Sequence, residues 1–218
     1  KTFIYRKNLI ESVHELKCYI GSYKGDTIFS TNNEKDLIYP RSSIKIFQSI
    51  PFAESNAINL YNLNKKQIAL SCSSHNAENF HIKELKNWLR NINLSHLNLK
   101  CGIHNPLDKE STKKLFLSGK KPYQIHNNCS GKHLAMLTSC LANNFPIKNY
   151  LDIDHPHQKN IRSVFSKFTE KKISRSNYGI DGCSAPQYSF KIKELRNALS
   201  NLLKSYNGNF EFSENIKI

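Results

Sequence analysis

Four short segments of this sequence gather side chains that can do chemistry. The first is Arg41-Ser42-Ser43-Ile44-Lys45. A serine and a lysine three positions apart at the start of a helix share one face, so the amine can reach the hydroxyl. A lysine whose pKa is lowered by burial can then take the serine proton, as in S-x-x-K hydrolases. The same residues also read as a serine cap beside a solvated lysine. The second segment, Ser71-Cys72-Ser73-Ser74-His75, closes an apolar run. Its small hydroxyls can hold a substrate or supply a second nucleophile, or can simply cap a helix before a surface histidine.

The third segment is His126-Asn127-Asn128-Cys129-Ser130-Gly131-Lys132-His133. Its Gly-Lys pair does not make a phosphate loop, because His126 stands where the first glycine is required and His133 where Ser or Thr would bind magnesium. Amide, thiol, amine and imidazole groups crowd just before a helix, where backbone amides favour anions, so Cys129 is a candidate thiolate. The fourth, Asn177-Tyr178-Gly179-Ile180-Asp181-Gly182-Cys183-Ser184-Ala185-Pro186, sets an acid and a thiol in a tight loop. Metal ligation can be drawn two ways. Cys101-x2-His104 with Cys129-x3-His133 has zinc-finger-like spacing. The other grouping joins Cys129 to Cys183 from a distant segment, and spacing alone favours the first.

The elements that must position these groups are mostly helical. Residues from about Val13 to Ser30 read as a hairpin turning at Lys24-Gly25-Asp26, with Asn32-Asn33 breaking the pattern. Ser42 to about Asn59 has helical spacing through Ile44, Phe47, Ile50 and Ala53, with Pro51 expected to kink it or end a turn. Ile68 to Cys72 reads as a short buried strand or extended run. Helices follow over Glu78–Arg90, Asp108–Gly119, Gly131–Asn143, His157–Phe168 and Leu195–Tyr206, with Asp108 and Ser111 as caps of the second. No repeat or low-complexity linker divides the chain, so 1–218 reads as a single α+β domain, a hairpin followed by a largely helical body.

Composition narrows the function. The chain has 218 residues, enough for a core of ordinary size, and no apolar run approaches the roughly 20 residues of a spanning helix. The net charge of +15 comes from 26 Lys and only 6 Arg against 17 acids. The lysines are dispersed, with short runs at Lys113-Lys114, Lys120-Lys121 and Lys171-Lys172. Nucleic-acid binders more often cluster Arg with aromatics, so the charge argues against that partner and for AT-rich coding. Six cysteines without a secretory signal favour reduced thiols and a cytoplasmic setting. No membrane partner is expected.

Taken together the segments resemble the asparaginase II family, the inducible, Rhizobium-type L-asparaginases. The matching blocks are Glu11-Ser-Val-His14, Pro40-Arg-Ser-Ser-Ile-Lys45, Ser71-Cys-Ser-Ser-His75, Cys101-Gly-Ile-His104-Asn-Pro106, His126 to His133, Asp154-His-Pro-His-Gln158 and Gly179 to Pro186. They run in order over nearly the whole chain. The HNNCSGKH and GIDGCSAP blocks are the specific ones.

The resemblance implies a fold similar to serine β-lactamases and glutaminases. It implies hydrolysis of the side-chain amide of L-asparagine, with Ser42 as nucleophile, Lys45 as its base and Ser74 as a second serine near the substrate. Arg41, His75, Asn128 and Asp181 would contact substrate. Cys129, Lys132 and Cys183 match positions that hold zinc, which makes Cys101 and His104 structural; a lysine is an unusual zinc ligand. A homodimer is left open. Three positions depart from the family pattern: Ile46 replaces a proline, Asn56 a glycine and Ala77 a glycine. Relatives also continue for roughly a hundred residues more. The chain therefore reads as C-terminally truncated, lacking the closing strands that pair with the hairpin. An inactive remnant or a structural zinc-binding domain is the alternative expectation.

Overall fold

The computed structural model describes residues 1–32 and 34–208, so Asn33 of the expected break lies outside the described residues. The N-terminal part holds two antiparallel hairpins rather than one. β1 (Thr2–Arg6) pairs with β2 (Leu9–His14), setting Phe3 opposite Val13 and Tyr5 opposite Ile10. β3 (Tyr19–Gly21) pairs with β4 (Thr27–Ser30) across a turn in which Gly25 takes φ +122° and donates to the Ser22 carbonyl. Val13 thus belongs to a hairpin upstream of the expected one. β5 (Leu37–Ile38) then leads to a single 3-10 turn over Arg41–Ile44.

Beyond that turn the expected helix is two. α1 (Lys45–Glu54) runs through Pro51 without ending there, and α2 (Ala57–Leu60) follows a break at Asn56, whose φ is +56°. The run at 68–72 is a correction. It lies in α3 (Lys65–Cys72), started by a capping box in which the Asn64 side chain accepts from the Lys66 and Gln67 amides while Gln67 reaches back to the Asn64 amide. Three apolar residues are too few to distinguish strand from helix by period, and the cap decides the outcome.

The remaining helices fall close to their expected places. They are α4 (Asn79–Asn91), α5 (Lys109–Leu117), α6 (Ser130–Ala142), α7 (Pro156–Thr169) and α8 (Ile192–Tyr206). Asp108 caps α5 by accepting from the Ser111 amide at 2.7 Å. Two small antiparallel pairs complete the chain: β6 (Tyr178–Ile180) with β7 (Pro186–Tyr188), and β8 (Phe190–Lys191) with β5. The architecture is therefore mixed, helices with small two-stranded antiparallel sheets.

α6 is the axis. Every residue from Ser130 to Cys140 is buried, and α1, α3, α4 and α7 pack around it. Gly131 is where α6 meets α3: a Cβ there would sit 2.2 Å from the Leu70 carbonyl oxygen. Only glycine lets the two backbones approach so closely. Aromatic rings fill the other side, with Phe47 against Phe168 at 5.2 Å and Phe165 against Phe190 at 5.0 Å between centroids. Trp88 donates from its indole to the Thr138 hydroxyl at 2.9 Å, tying α4 to the axis.

Candidate active site

The turn before α1, the start of α6 and the β6–β7 loop converge on a cavity of about 270 Å³. Arg41 and Ser42 come from the first, Asn127, Asn128 and Cys129 from the second, and Asp181, Gly182 and Cys183 from the third. His104 closes one wall. A larger concavity of about 560 Å³ lies elsewhere, beside α5.

Lys45 sits at the first turn of α1 and is 1% exposed. Its Nζ donates to the Ser73 carbonyl and to Ser74 Oγ, both at 2.7 Å. Burial lowers its pKa from the ordinary amine value, against the pull of the Cys129 sulfur and with the push of Lys132. The serine that hydrogen-bonds Lys45 is Ser74, from another segment, and not Ser42 of its own. Ser42 lines the cavity one turn before the lysine.

At the cavity mouth the Arg41 guanidinium pairs with the Asp181 carboxylate at 2.9 Å. Arg41 holds φ +55°, a left-handed conformation uncommon outside glycine, and its carbonyl accepts from Gln187 Nε2 at 3.3 Å. Asp181 also accepts from the Gly182 amide at 2.8 Å, and the Asp181 amide donates to the Ala185 carbonyl at 2.9 Å. The tight loop seen in the sequence is therefore a device for aiming one carboxylate.

His75 does not face the cavity. It is 3% exposed, its Nδ1 accepts from the Ala77 amide at 3.1 Å, and Nε2 donates to Ser130 Oγ at 2.8 Å. The Ser130 hydroxyl in turn donates a hydrogen bond to the Ile125 carbonyl at 3.0 Å. Burial first, with nearby cationic groups, pushes the His75 pKa down to about 3. His75, expected to contact substrate, has both ring nitrogens engaged within the protein and ties the Ser71–His75 segment to α6. The His75 amide adds a bond to the Asn128 carbonyl at 3.3 Å.

Asn128 lines the cavity, and its setting comes from His104, Asn127 and Cys101. The Asn128 amide donates to His104 Nε2 at 3.0 Å, while His104 Nδ1 donates to the Asn105 carbonyl at 2.6 Å. Asn127 Nδ2 donates to the Cys101 carbonyl at 2.6 Å and its Oδ1 accepts from the Cys129 amide at 2.9 Å. Asn127 and Gly182 are cavity residues given no role in the sequence analysis, and His104 was named there only as a metal ligand or a structural residue; all lie inside motif blocks.

The sulfurs of the two groupings drawn from the sequence sit in different surroundings. Cys101 is fully buried, its thiol donates to the Gln124 carbonyl at 3.5 Å, and burial raises its pKa to about 12. Cys129 instead hydrogen-bonds Cys183, and Lys132 Nζ donates to Cys183 Sγ at 3.1 Å. The proton is shared unequally: the bond from Cys129 holds Cys183 well below the ordinary thiol value, helped by His133 and Lys132, while the same bond and burial raise Cys129. The helix start suggested a thiolate at Cys129; here the shared bond raises that thiol and lowers Cys183, whose Sγ also lies 3.8 Å from Asp181 Oδ2. His133 is held by Tyr150, whose hydroxyl lies 2.6 Å from Nδ1 and accepts from the Lys100 amide at 2.9 Å.

Among the described residues no group of three or more His, Cys, Asp and Glu side chains is gathered as a metal would require. The candidate set has two thiols and a lysine. Those three donors are buried together, and soft sulfur with nitrogen suits zinc. The donor set fits the ion.

A buried amine on a serine hydroxyl thus lies beside a small polar cavity with an arginine and a carboxylate at its mouth. The chain belongs to the L-asparaginase II family, whose model matches residues 3–216. Membership of that family supports asparagine hydrolysis as the class of activity. No curated protein matches the sequence. No helix among the described residues is long and apolar enough to cross a membrane.

Proposed function

We propose that this chain hydrolyses the side-chain amide of L-asparagine to L-aspartate and ammonia through a serine acyl-enzyme, on a fold of the serine β-lactamase and glutaminase kind. The observation that carries the reading is the buried Lys45 amine, hydrogen-bonded to Ser74 Oγ beside the cavity that Ser42 lines. A zwitterionic amino acid has one carboxylate and one ammonium. Arg41 and Asp181 satisfy each other in the free protein; substrate would part them, its carboxylate taken by Arg41 and its ammonium by Asp181.

Ser42 Oγ attacks the amide carbon as its proton passes to the neutral Lys45 amine, through Ser74 Oγ. Collapse of the adduct breaks the carbon–nitrogen bond. Lys45 returns the proton to the leaving nitrogen, which departs as ammonia and leaves an ester on Ser42. Water, deprotonated by the same amine, cleaves that ester to aspartate and restores the serine. Cys129, Lys132 and Cys183 would hold zinc, which supplies positive charge at the cavity wall when bound.

One observation favours a second assignment of the nucleophile. Ser74, not Ser42, makes the 2.7 Å bond to Lys45, so Ser74 could be the attacking hydroxyl. Rapid acid quench during turnover of asparagine, followed by peptide mass spectrometry, separates the two. The aspartyl ester is expected on Ser42. An ester on Ser74 reverses the two serines, and no ester on either removes the acyl-enzyme.

A further inference from the structure

α5 is unlike the other long helices. None of its residues is buried, and its apolar side chains point outward: Phe116 is 81% and Leu117 72% exposed, with Leu107 just upstream at 56%. Exposed apolar groups rimmed by polar residues mark interaction surfaces. The rim here is of one sign. Lys109, Lys113, Lys120 and Lys121 line the same concavity of about 560 Å³ as Leu107 and Phe116. Lys114 and Lys86 stand on the neighbouring groove, about 480 Å³, on the other flank of the helix. Among the described residues none of these six lysines is in an ion pair. The acids of the segment are Asp108, occupied as the helix cap, and Glu110.

We propose that α5 and the 116–121 corner form a docking surface for an anionic phospholipid bilayer, with Phe116 and Leu117 entering the headgroup–acyl boundary and the lysines on lipid phosphates. The chemistry of the rim selects this occupant. Lysine is depleted from the cores of protein–protein interfaces, where arginine, tyrosine and tryptophan are favoured. A nucleic acid would find phosphate contacts here, but of the three exposed apolar residues only Phe116 offers a face to a base, and Leu107 and Leu117 offer none to its neighbours. Lysines around exposed Phe and Leu are what an interfacial helix presents to acidic lipid. The sequence had suggested no membrane partner because no spanning helix exists; surface docking needs none. The proposal is independent of the asparaginase reading.

The test is vesicle co-sedimentation of the full chain. Vesicles of pure phosphatidylcholine are compared with equimolar phosphatidylglycerol and phosphatidylcholine. Binding is expected only to the second, weakening as salt rises. Phe116→Ser with Leu117→Ser, and separately Lys113→Glu with Lys114→Glu, should each weaken it by about tenfold or more. Lys171→Glu with Lys172→Glu makes the same change in net charge away from the patch and should leave it nearly unchanged. Because α5 buries no side chain, unchanged circular dichroism is expected for all variants. Equal loss on changing Lys171 and Lys172 would reduce the effect to the +15 net charge and overturn the proposal. So would binding that survives the Phe116 and Leu117 changes, binding to pure phosphatidylcholine, or tighter binding of polyglutamate or single-stranded DNA to the same lysines.

Discussion

Lys45 Nζ lies 2.7 Å from Ser74 Oγ, joining the first turn of α1 to the segment after α3. In the proposed mechanism the amine and the second serine handle the proton together, with Ser42 lining the cavity. Lys45→Met keeps the length of the side chain and removes the amine. It should lower kcat for asparagine by roughly 10²–10⁴-fold, the span of general acid–base catalysis. Ser74→Ala should lower kcat as well. A Lys45→Met enzyme with unchanged kcat would remove the amine from the mechanism.

Zinc content tests the sulfur cluster without reference to activity. Cys129→Ser and Cys183→Ser should each lose the bound ion on dialysis, measured by elemental analysis. Cys101→Ser should keep it, because that thiol is spent on the Gln124 carbonyl. Zinc retained by the Cys183 variant would place the ion elsewhere.

Two positions at which the family resemblance expects glycine share one backbone feature. Asn56 and Ala77, each in place of a glycine, both adopt left-handed backbone, at φ +56° and +60°. Asparagine tolerates that region; alanine carries a Cβ penalty of roughly 1–2 kcal/mol. Ala77→Gly should therefore raise the stability of the chain by about 1 kcal/mol, since part of the relief is offset by unfolded-state entropy. The urea midpoint measures it. A lower midpoint would mean that the Ala77 methyl, buried under His75, contributes more than the strain costs.

Acid should destabilise the fold before its carboxylates are protonated. His75 and His157 are buried, and burial pushes both down to about 3 from an ordinary 6.5. Between those values the unfolded chain binds protons that the native one does not, so stability rises with pH across that window and is flat above it. The slope is on the order of 1.4 kcal/mol per pH unit for each histidine. His81, His126 and His133 are displaced in the same direction. Urea unfolding from pH 7 to pH 4 should show the fall, and His157→Phe should make it shallower. A profile flat through pH 5 would contradict the burial of these rings.

The legible parts of the fold were those whose signal is local. α4 and α8 carry apolar residues at helical spacing, and Asp108 and Pro156 mark starts by their own chemistry. The β1–β2 hairpin was missed because its turn at Lys7-Asn8 has no glycine, although Lys7 takes φ +52°. α3 was misread because its cap at Asn64, not its apolar triplet, defines it. In the site, Ser42, Asn128, Asp181 and Cys183 were visible as members of blocks. The Lys45–Ser74 bond and the Cys129–Cys183 pair join residues 29 and 54 positions apart, and no spacing rule reaches that far.

The central claim is serine-dependent hydrolysis of asparagine at this cavity. Ammonia release from L-asparagine, compared between the chain and its Ser42→Ala variant at equal folded concentration, tests it most directly. The account predicts release by the former and a loss of about 10³-fold or more in the latter. Equal release from both would contradict it.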